Sequence, residues 1–366
     1  PPLRREWVTV IPPDELPWTA GSKVGCVADQ GTFKLMSYNI LHDHHARPAY
    51  YHYTPAWTLH WEHRKRLILQ ELLEYDAEVI CLQEVGIKSY EDFFAPSLED
   101  KGYEGVFHPK SRARSRNQSK KRLQVDGCAT FVKKSIFELI EYHCVDFNEL
   151  PMLSDLHKTV DMLDRVKSKD NIAQIVMLQH RRTGARQLVA NIHLFWNPEF
   201  KDVKVVQTAM LTQQLERLAK HFTDLPLRTH TAYSREAAPQ YSGASIIVCG
   251  DFNSLPDSGV YHYLSSGALK PNHEDYLSHD YGPFTESGIQ HTLELQSAYS
   301  QIGELPLTNY TPYFRGTIDY IFYSPNSLAV TRVLGKVDPD YLSKVSGFPN
   351  VHFPSDHVPV LAEFQV

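Results

Sequence analysis

Carboxylate, amide and imidazole side chains follow short apolar segments at several separate points of the sequence. Such segments are typical of buried β-strands, so we expect each polar side chain at a strand end. The side chains are those of Asn39, Glu84, His193, Asp251, Asn253, Asp356 and His357. Mg²⁺ prefers oxygen ligands, and phosphoryl transfer also needs groups that orient water and donate to developing charge. The set predicts metal-dependent phosphoryl chemistry.

Each of these motifs alone also has a plain structural explanation. Glu84 fits a polar residue facing solvent after an apolar strand. Asp251 and Asn253 fit an Asx turn as well as two side chains on one face of a strand. Asp319 is harder to explain in this way, because it lies inside the apolar segment 318–322, where an unpaired charge is costly. It needs a partner, and an imidazole or a structural cation would serve.

Zinc fits the sequence less well than magnesium. The chain has 19 histidines but no clustered Cys and His pattern. The nearest approach is the group His42, His44 and His45, which we interpret as a polar loop. The five cysteines form no C-x-x-C pair, and several lie in apolar segments. We therefore interpret them as reduced thiols in the core of an intracellular protein.

Composition and charge indicate a packed chain with a local rather than a general affinity for nucleic acid. Hydrophobic residues make up 42% of the 366 residues and charged residues 22%, which supports a large core. No segment predicts a membrane span or a secretory signal. The formal charge of −6 argues against a non-specific nucleic-acid binder, although carboxylates gathered around metal ions would themselves make an enzyme acidic. Because it begins Pro1-Pro2-Leu3, we expect the chain to be part of a longer protein.

Apolar periodicity predicts the elements that would position the polar side chains. Helical spacing predicts helices over 57–75 and 202–222, the second with Asp202 as its N-cap. The predicted strands are 33–40, 79–82, 126–132, 172–178, 188–194, 246–249, 317–323 and 360–364. Because strands outnumber helices without regular alternation, we expect two packed sheets flanked by helices. Long loops are predicted over 223–244 and 266–290, and residues 1–31 form an extended lead-in.

Taken in order, the polar residues resemble the endonuclease/exonuclease/phosphatase superfamily, which includes deoxyribonuclease I. Other segments are similar to the nuclease of the fungal carbon catabolite repressor type of poly(A) deadenylase. These segments are 53–57, 61–64, 111–114, 125–128, 169–171, 253–258, 308–311 and 347–350. The resemblance implies an α/β fold in which two mixed β-sheets pack face to face as a sandwich, with helices on the outer faces. It also implies a single nuclease domain over 32–366.

The same resemblance implies an activity and its partners. The chain would be a 3′-to-5′ exoribonuclease that hydrolyses the poly(A) tails of mRNA to 5′-AMP with two Mg²⁺ ions. We expect it in the cytoplasm and also in the nucleus. Family members carry an N-terminal leucine-rich repeat that docks a second deadenylase and the scaffold of the deadenylase complex. No repeat of this kind is recognisable in the sequence, so that docking surface is expected to be absent here.

Roles for single residues also come from the resemblance. The implied metal ligands are Glu84, Asn39, Asp251 and Asp356, and the implied contacts of the terminal adenine are Pro198, Asn309 and Phe314. Asp251 would also orient or deprotonate the attacking water, and Asn253 would bind metal or substrate. His193 would donate to the scissile phosphate. Asp319 would fix the imidazole of His357 for transition-state stabilisation.

Several alternatives remain open from the sequence. The run 110–122 is rich in Lys and Arg without an acidic residue, which suits either an arm along the RNA backbone or a solvated loop. The aromatic stretch 50–57 favours core packing over base stacking. A rival function is that of another phosphoesterase of the superfamily, acting on DNA, inositol phosphates, a sphingolipid or a small nucleotide. A relative that binds RNA or a partner without catalysis is disfavoured. Such a relative would have lost metal ligands or the Asp319–His357 pair, and here all of them are present.

Overall fold

Two β-sheets packed face to face form the centre of the structure, a computed structural model that describes residues 5–11, 31–115, 124–150, 158–227 and 243–366. The seven-stranded sheet contains, in spatial order, β1 (Trp7–Thr9), β16 (Ala329–Leu334), β17 (Val360–Gln365), β2 (Thr32–Asn39), β3 (Val79–Gly86), β5 (Asp126–Lys133) and β4 (Tyr103–Pro109). The six-stranded sheet contains β12 (Gln296–Ser297), β15 (Asp319–Tyr323), β9 (Ser245–Asp251), β8 (Arg186–His193), β7 (Ile172–His180) and β6 (Phe137–Asp146). Each sheet mixes one parallel pair with antiparallel pairs, which confirms the predicted sandwich of mixed sheets.

Aliphatic side chains from the two inner faces fill the space between the sheets. Leu35 and Val79 come from the seven-stranded sheet, and Val189, Ile247 and Ile321 come from the other. Each is almost completely buried. Burial of one such aliphatic side chain contributes roughly 1.5–3 kcal/mol relative to exposure, so this layer holds the two sheets together.

Helices cover the outer faces of both sheets. They are α1 (Trp61–Tyr75), α2 (Ile87–Ser89), α3 (Ala95–Glu99), α4 (Arg112–Ser115), α5 (Lys201–Asp224), α6 (Gly259–Ser266), α7 (Pro283–Glu286) and α8 (Pro339–Leu342). Helix α1 buries Ile68 and Leu72, one turn apart, against the seven-stranded sheet, and α5 buries Val206 and Met210 against the other. Within the described ranges, no helix combines the length and apolar character that crossing a bilayer requires.

The ribbons and turns outside the two sheets account for most of the loop predicted over 266–290. That segment contains α7 and two strands that pair with each other, β10 (Ala268–Leu269) and β11 (Ile289–Gln290). A second ribbon pairs β13 (Asn309–Tyr310) with β14 (Arg315–Gly316). Short 3₁₀ turns span Ala56–Leu59 and Glu274–Tyr276, and π-helical turns span Tyr90–Phe94 and Met162–Val166. The other predicted loop, 223–244, lies mostly outside the described residues.

The predicted N-cap of the long helix was wrong, and part of the predicted lead-in belongs to a sheet. The long helix begins at Lys201, so Phe200 rather than Asp202 is its N-cap. The carboxylate of Asp202 lies inside the first turn and accepts two hydrogen bonds from Arg165, at 2.6 and 3.0 Å. The predicted lead-in contains a strand, because β1 pairs with β16 and the buried Arg5 donates to backbone carbonyls beside it. The boundary of the nuclease domain at residue 32 stays a prediction.

Strand register brings the chemical residues of the six-stranded sheet into one row. His193 at the end of β8 pairs with Asp251 at the end of β9, and Asp251 pairs in turn with Asp319 on β15. Gly250 makes this approach possible: a Cβ there would lie 2.0 Å from the carbonyl oxygen of Ile192, and its φ of +145° is one that other residues rarely adopt. The three polar side chains therefore meet at one edge of the sheet.

Candidate active site

Asn39 joins the two sheets at the edge where their polar residues meet. Its Nδ2 donates to Asp251 Oδ2 at 2.9 Å and lies 3.3 Å from Glu84 Oε1. Its Oδ1 accepts from the backbone N–H of Leu41 at 3.0 Å, which fixes the orientation of the amide. Asn39 thus presents its nitrogen to two carboxylates that come from different sheets.

The predicted strand 79–82 would place Glu84 after the strand. In the structure Glu84 lies within β3. The pairing of β3 with β5 shifts register between Leu82 and Val85, so Glu84 occupies a bulge. Its φ of +59° lies in the left-handed region, which costs a residue other than glycine roughly 1–3 kcal/mol. Strain of this kind is typical of functional sites. The bulge turns the carboxylate toward the cavity lined by Asp251.

His45 contacts Glu84. The interpretation of His42, His44 and His45 as a polar loop did not predict this contact. The His45 Nδ1–H donates to Glu84 Oε2 at 2.7 Å, and the backbone N–H of His42 donates to the same oxygen at 2.8 Å. Burial alone would raise the pKa of Glu84, but the facing His45 imidazole brings it well below its usual value. The position of the histidines directly after the strand that ends at Asn39 was the signal in the sequence.

Asp251 lies between two imidazoles. Its Oδ2 is 3.7 Å from the Nε2 of both His193 and His357, and its Oδ1 accepts from the backbone N–H of Asn253 at 2.9 Å. The predicted Asx turn and the predicted shared pocket are therefore both present. Burial, followed by the nearby Asp319 carboxylate, raises the pKa of Asp251 to about 7. A carboxylate with such a pKa is suited to accept a proton near neutral pH.

The imidazole of His193 is uncharged at neutral pH. Burial lowers its pKa to about 3, with the neighbouring Lys110 acting in the same direction. A neutral imidazole carries one N–H donor. The backbone carbonyl of His193 accepts from Asn171 Nδ2 at 3.1 Å, which fixes the chain at this point. His193 can thus donate one hydrogen bond without adding charge to the site.

Asp319 and His357 form the predicted pair. The His357 Nδ1–H donates to Asp319 Oδ2 at 2.8 Å, and the Thr308 hydroxyl donates to the same oxygen at 2.6 Å. Burial alone would lower the pKa of His357, but the Asp319 carboxylate raises it well above its ordinary value. His357 is therefore a buried imidazolium. The contact of Thr308 carried no signal of its own in the sequence.

A buried lysine supports Asn253. Asn253 has a φ of +47°, its Nδ2 donates to the carbonyl of Leu194 at 3.0 Å, and its own carbonyl accepts from Lys204 Nζ at 2.7 Å. Burial lowers the pKa of Lys204 to about 8. The sequence analysis missed Lys204, although a lysine flanked by Val203 and Val205 in an apolar helix face was a usable signal.

Asp356 completes the acidic side of the site. Its Oδ2 accepts from the Tyr51 hydroxyl at 2.9 Å, while its Oδ1 is buried without a hydrogen-bond partner among the described residues. Tyr51 belongs to the aromatic stretch 50–57 that was expected to pack in the core. Tyr51 is buried, as expected, and also holds a carboxylate of the site, whereas the exposed Tyr50 and Trp57 contradict core packing for the rest of the stretch.

One cavity of about 580 Å³ gathers nearly all of the predicted residues. Its lining includes Glu84, His193, Asp251, Asn253, Asp356 and His357 together with Pro198, Asn309 and Phe314. Asn39 and Asp319 lie behind this surface and bind residues that line it. Phe314 sits in the turn of the β13–β14 ribbon, 39% exposed, with its ring packed over Gly316. A Cβ atom at position 316 would lie 2.9 Å from that ring, closer than real Cβ contacts.

The donor set of the cavity suits a hard divalent cation. Glu84, Asp251 and Asp356 offer carboxylate oxygens, the ligands that Mg²⁺ prefers. A nearby cation would lower the raised pKa of Asp251 and would give the unpartnered Oδ1 of Asp356 a ligand. Asp251, Asp319 and His357 also have ligand atoms within 4.8 Å of one another. The hydrogen bond between His357 Nδ1 and Asp319 Oδ2 commits one of these ligand atoms on each partner, whereas Glu84, Asp251 and Asp356 line the cavity itself.

The basic run 110–122 is engaged with carboxylates wherever it is described. Lys110 Nζ lies 2.7 Å from Asp126, and Arg112 contacts Asp126 at 2.8 Å and Asp170 at 2.9 Å. Arg114 forms ion pairs of the same kind. Lys110 and Arg112 are neither a free arm for RNA nor a solvated loop, because the buried Asp126 needs their charge, and the half-exposed Arg114 pairs instead with Asp146 and Glu149. Residues 116–122 lie outside the described residues.

Removing the Arg112 side chain should therefore affect stability more than catalysis. Arg112→Ala takes one of two cationic partners from a fully buried carboxylate, so we expect the free energy of unfolding to fall by roughly 1.5–3 kcal/mol. Denaturant unfolding would measure this. Arg66→Ala, on the exposed face of α1, is the matched control and should change stability by less than about 0.5 kcal/mol. Equal stability of the two variants would show that Arg112 is not structural.

Comparison with known sequences gives a family match and close relatives. The sequence model described as "Endonuclease/Exonuclease/phosphatase family" matches residues 36–357. A protein of Mycosarcoma maydis named "CCR4-Not complex 3'-5'-exoribonuclease subunit Ccr4" is 48% identical over the whole chain, which covers 55% of that relative. The protein of the same name from Schizosaccharomyces pombe is 44% identical over the whole chain, which covers 56% of it. The chain thus spans about half the length of these curated relatives.

Comparison with solved structures gives the same fold. ANGEL2, described as a 2′,3′-cyclic phosphatase, superposes with a TM-score of 0.74 and 26% identity over 99% of both chains. The catalytic domain of human Nocturnin with a bound sulfate gives a TM-score of 0.64 and 24% identity, over 100% of this chain and 98% of that one. The second likeness supports the fold alone.

Proposed function

Because the chain belongs to the endonuclease/exonuclease/phosphatase family, we propose that it is a Mg²⁺-dependent 3′-to-5′ exoribonuclease that shortens poly(A) tails to 5′-AMP. The observation that carries the proposal is the single cavity in which three carboxylates, two imidazoles and the half-exposed ring of Phe314 meet. The relatives named Ccr4 support the exoribonuclease activity. The adenine preference rests on the residues at the wall of the cavity.

The acidic side of the cavity would hold Mg²⁺, for which we propose two ions. Glu84, Asp251 and Asp356 are the proposed ligands, with Asn39 holding Glu84 and Asp251 in place. When bound, the metal would supply Lewis-acid stabilisation of charge on the phosphate. Asp251, which lies between the two imidazoles, would orient the attacking water and accept its proton.

The two imidazoles have different tasks because their charges differ. His193 is neutral and donates a hydrogen bond to a non-bridging oxygen of the scissile phosphate. His357 is held as a cation by Asp319 and stabilises the negative charge that grows in the transition state. Asn253, fixed by Lys204, provides a further polar contact to the nucleotide or to the metal. The 3′-terminal adenine lies against Pro198, Asn309 and Phe314.

The names of the relatives also support a proposal for the partners and the location of the enzyme. The relatives are named as subunits of the CCR4-Not complex. We propose that the full-length protein assembles with a second deadenylase and the scaffold of that complex through a leucine-rich repeat outside this sequence. We propose the cytoplasm as its main location and the nucleus as a second one.

A substrate panel would test the activity. With 5′-labelled poly(A) and Mg²⁺, we expect a ladder that shortens from the 3′ end with release of 5′-AMP, and no reaction in EDTA. RNA ending in a 2′,3′-cyclic phosphate tests for the cyclic phosphatase activity by which ANGEL2 is described. Abasic DNA and phosphoinositides test other phosphoesterases. Hydrolysis of any of these in preference to poly(A) would replace the proposal with the corresponding rival.

Phe314 gives a test of base selection. Phe314→Ala should slow poly(A) cleavage by about 5- to 150-fold, because stacking of a base on an aromatic ring contributes about 1–3 kcal/mol, and it should slow poly(U) cleavage less, so that the ratio of the two falls. Competition kinetics with both homopolymers would measure the ratio. Tyr142→Ala is the control, since Tyr142 is an exposed aromatic residue on β6 that does not line the cavity. An unchanged ratio in the Phe314 variant would exclude a stacking role.

A further inference from the structure

A second group of potential metal ligands lies outside the catalytic cavity. His108 on β4, Cys144 on β6 and Asp146 at the end of β6 each offer one ligand atom, and these atoms lie within 4.8 Å of one another. Strand β4 is the edge of the seven-stranded sheet and β6 is the edge of the six-stranded sheet. The group therefore spans the open side of the sandwich, where no strand hydrogen bonds connect the two sheets.

One atom of this group lacks a partner. Asp146 is 9% exposed, and its Oδ1 is buried without a hydrogen bond to any described residue. Its Oδ2 is used by Arg114, which lies 3.0 Å from it and also contacts Glu149 at 2.7 Å. A buried carboxylate oxygen without a donor is unfavourable. Arg114 leaves Oδ1 available for a different ligand.

We propose that His108, Cys144 and Asp146 form a binding site for a divalent ion of the zinc class. Imidazole, thiolate and carboxylate are the ligands that zinc uses, whereas Mg²⁺ has no affinity for sulfur. With Cys144 ionised, the thiolate and the carboxylates of Asp146 and Glu149 balance Arg114 and the divalent ion, so the site is neutral as a whole. The proposal does not depend on the function proposed for the catalytic cavity.

The protonation states set the conditions for binding. Burial lowers the pKa of His108, so its imidazole is already neutral at pH 7, as a ligand must be. Burial raises the pKa of Cys144, so in the absence of metal it is a thiol. Binding forms a metal–sulfur bond and releases the thiol proton to solvent. The apparent affinity should therefore rise with pH.

Metal titration of the folded chain would test the site. The protein is saturated with Mg²⁺ and titrated with Zn²⁺ against a chromogenic chelator, and separately with Co²⁺. We expect one tight Zn²⁺ per chain, and with Co²⁺ the near-ultraviolet charge-transfer absorption of a cobalt–thiolate bond. Cys144→Ser should abolish that absorption, and Cys144→Ser and His108→Ala should each weaken Zn²⁺ binding by at least about tenfold.

The control variant is His143→Ala. His143 neighbours Cys144 on β6 but lies 3.3 Å from Glu141, in a separate surface group with His221. This variant should bind Zn²⁺ as the wild type does. The proposal fails if the wild type binds no Zn²⁺ in excess Mg²⁺, if a folded Cys144→Ser variant binds as tightly as wild type, or if His143→Ala alone removes binding. Circular dichroism of each variant establishes that it is folded.

Discussion

Replacing Glu84 with alanine is expected to lower the rate of poly(A) hydrolysis by at least about a thousandfold while leaving the protein folded. Glu84 is a proposed metal ligand at a strained bulge, and a bound metal contributes several kcal/mol to stabilising a phosphoryl transition state. About 4 kcal/mol corresponds to a thousandfold change in rate. Single-turnover cleavage of labelled poly(A) at saturating Mg²⁺ would measure the loss.

Two further variants separate the chemical role of Glu84 from its structural one. Glu84→Gln keeps an acceptor for the N–H of His42 but loses the charge, and it should be nearly as inactive as the alanine variant. Glu62→Ala removes an exposed glutamate of α1 and should keep full activity. If Glu84→Ala retains activity within about tenfold of wild type, Glu84 does not hold an essential metal.

Asp319→Asn should lower turnover by about 10²- to 10³-fold, as the loss of one charge-stabilising donor typically does. The amide keeps the size of the side chain and an acceptor for Thr308, but it removes the negative charge that holds His357 as a cation. Melting temperature and turnover should be measured together. A large loss of stability with unchanged turnover per folded molecule would show that Asp319 is structural.

The pH dependence of this variant gives a second readout. In the wild type the pKa of His357 is well above its ordinary value, so the imidazolium persists through neutral pH. Without the Asp319 charge the pKa of His357 falls, so the charged form is lost at a lower pH than in the wild type. The ratio of wild-type to variant rates should therefore increase as pH rises. Because Asp319 also raises the pKa of Asp251, Asp251 titrates differently in the two proteins, and the rates are compared above pH 7, where Asp251 is ionised in the wild type. A constant ratio would contradict the assignment.

The strands that carry the site were predictable because they are apolar on both faces. Segments such as 172–178 and 246–249 lie in the middle of a sheet and are covered on both sides, so apolar runs mark them directly. The edge strands β4 and β6 were missed, because one side of each faces solvent or other polar groups and their composition is mixed. Short ribbons such as β13–β14 depend on tertiary contacts that no local pattern contains.

The candidate site was predictable in its residues but not in its contacts. The cost of burying a charge predicted a partner for Asp319, the family resemblance implied His357, and the structure confirms the pair. The bulge at Glu84 was not predictable, because it results from a register shift against β5. The ion pairs of Arg112 were hidden for a similar reason. Its partners Asp126 and Asp170 are distant in sequence, so the run 110–122 looked free of acidic residues.

The hydrogen bond from Asn39 to Asp251 crosses 212 residues of sequence and links the ends of two strands that belong to different sheets. Neither sheet contains a complete set of reactive groups, so the order of folding steps bears on when the chain becomes active. Long-range pairings of this kind form late and slowly, because much chain entropy is lost before the contacts form. A folding intermediate with one finished sheet would have a large helix and strand content but no competent centre. In such a chain, activity reports the docking of the two sheets rather than the formation of either one.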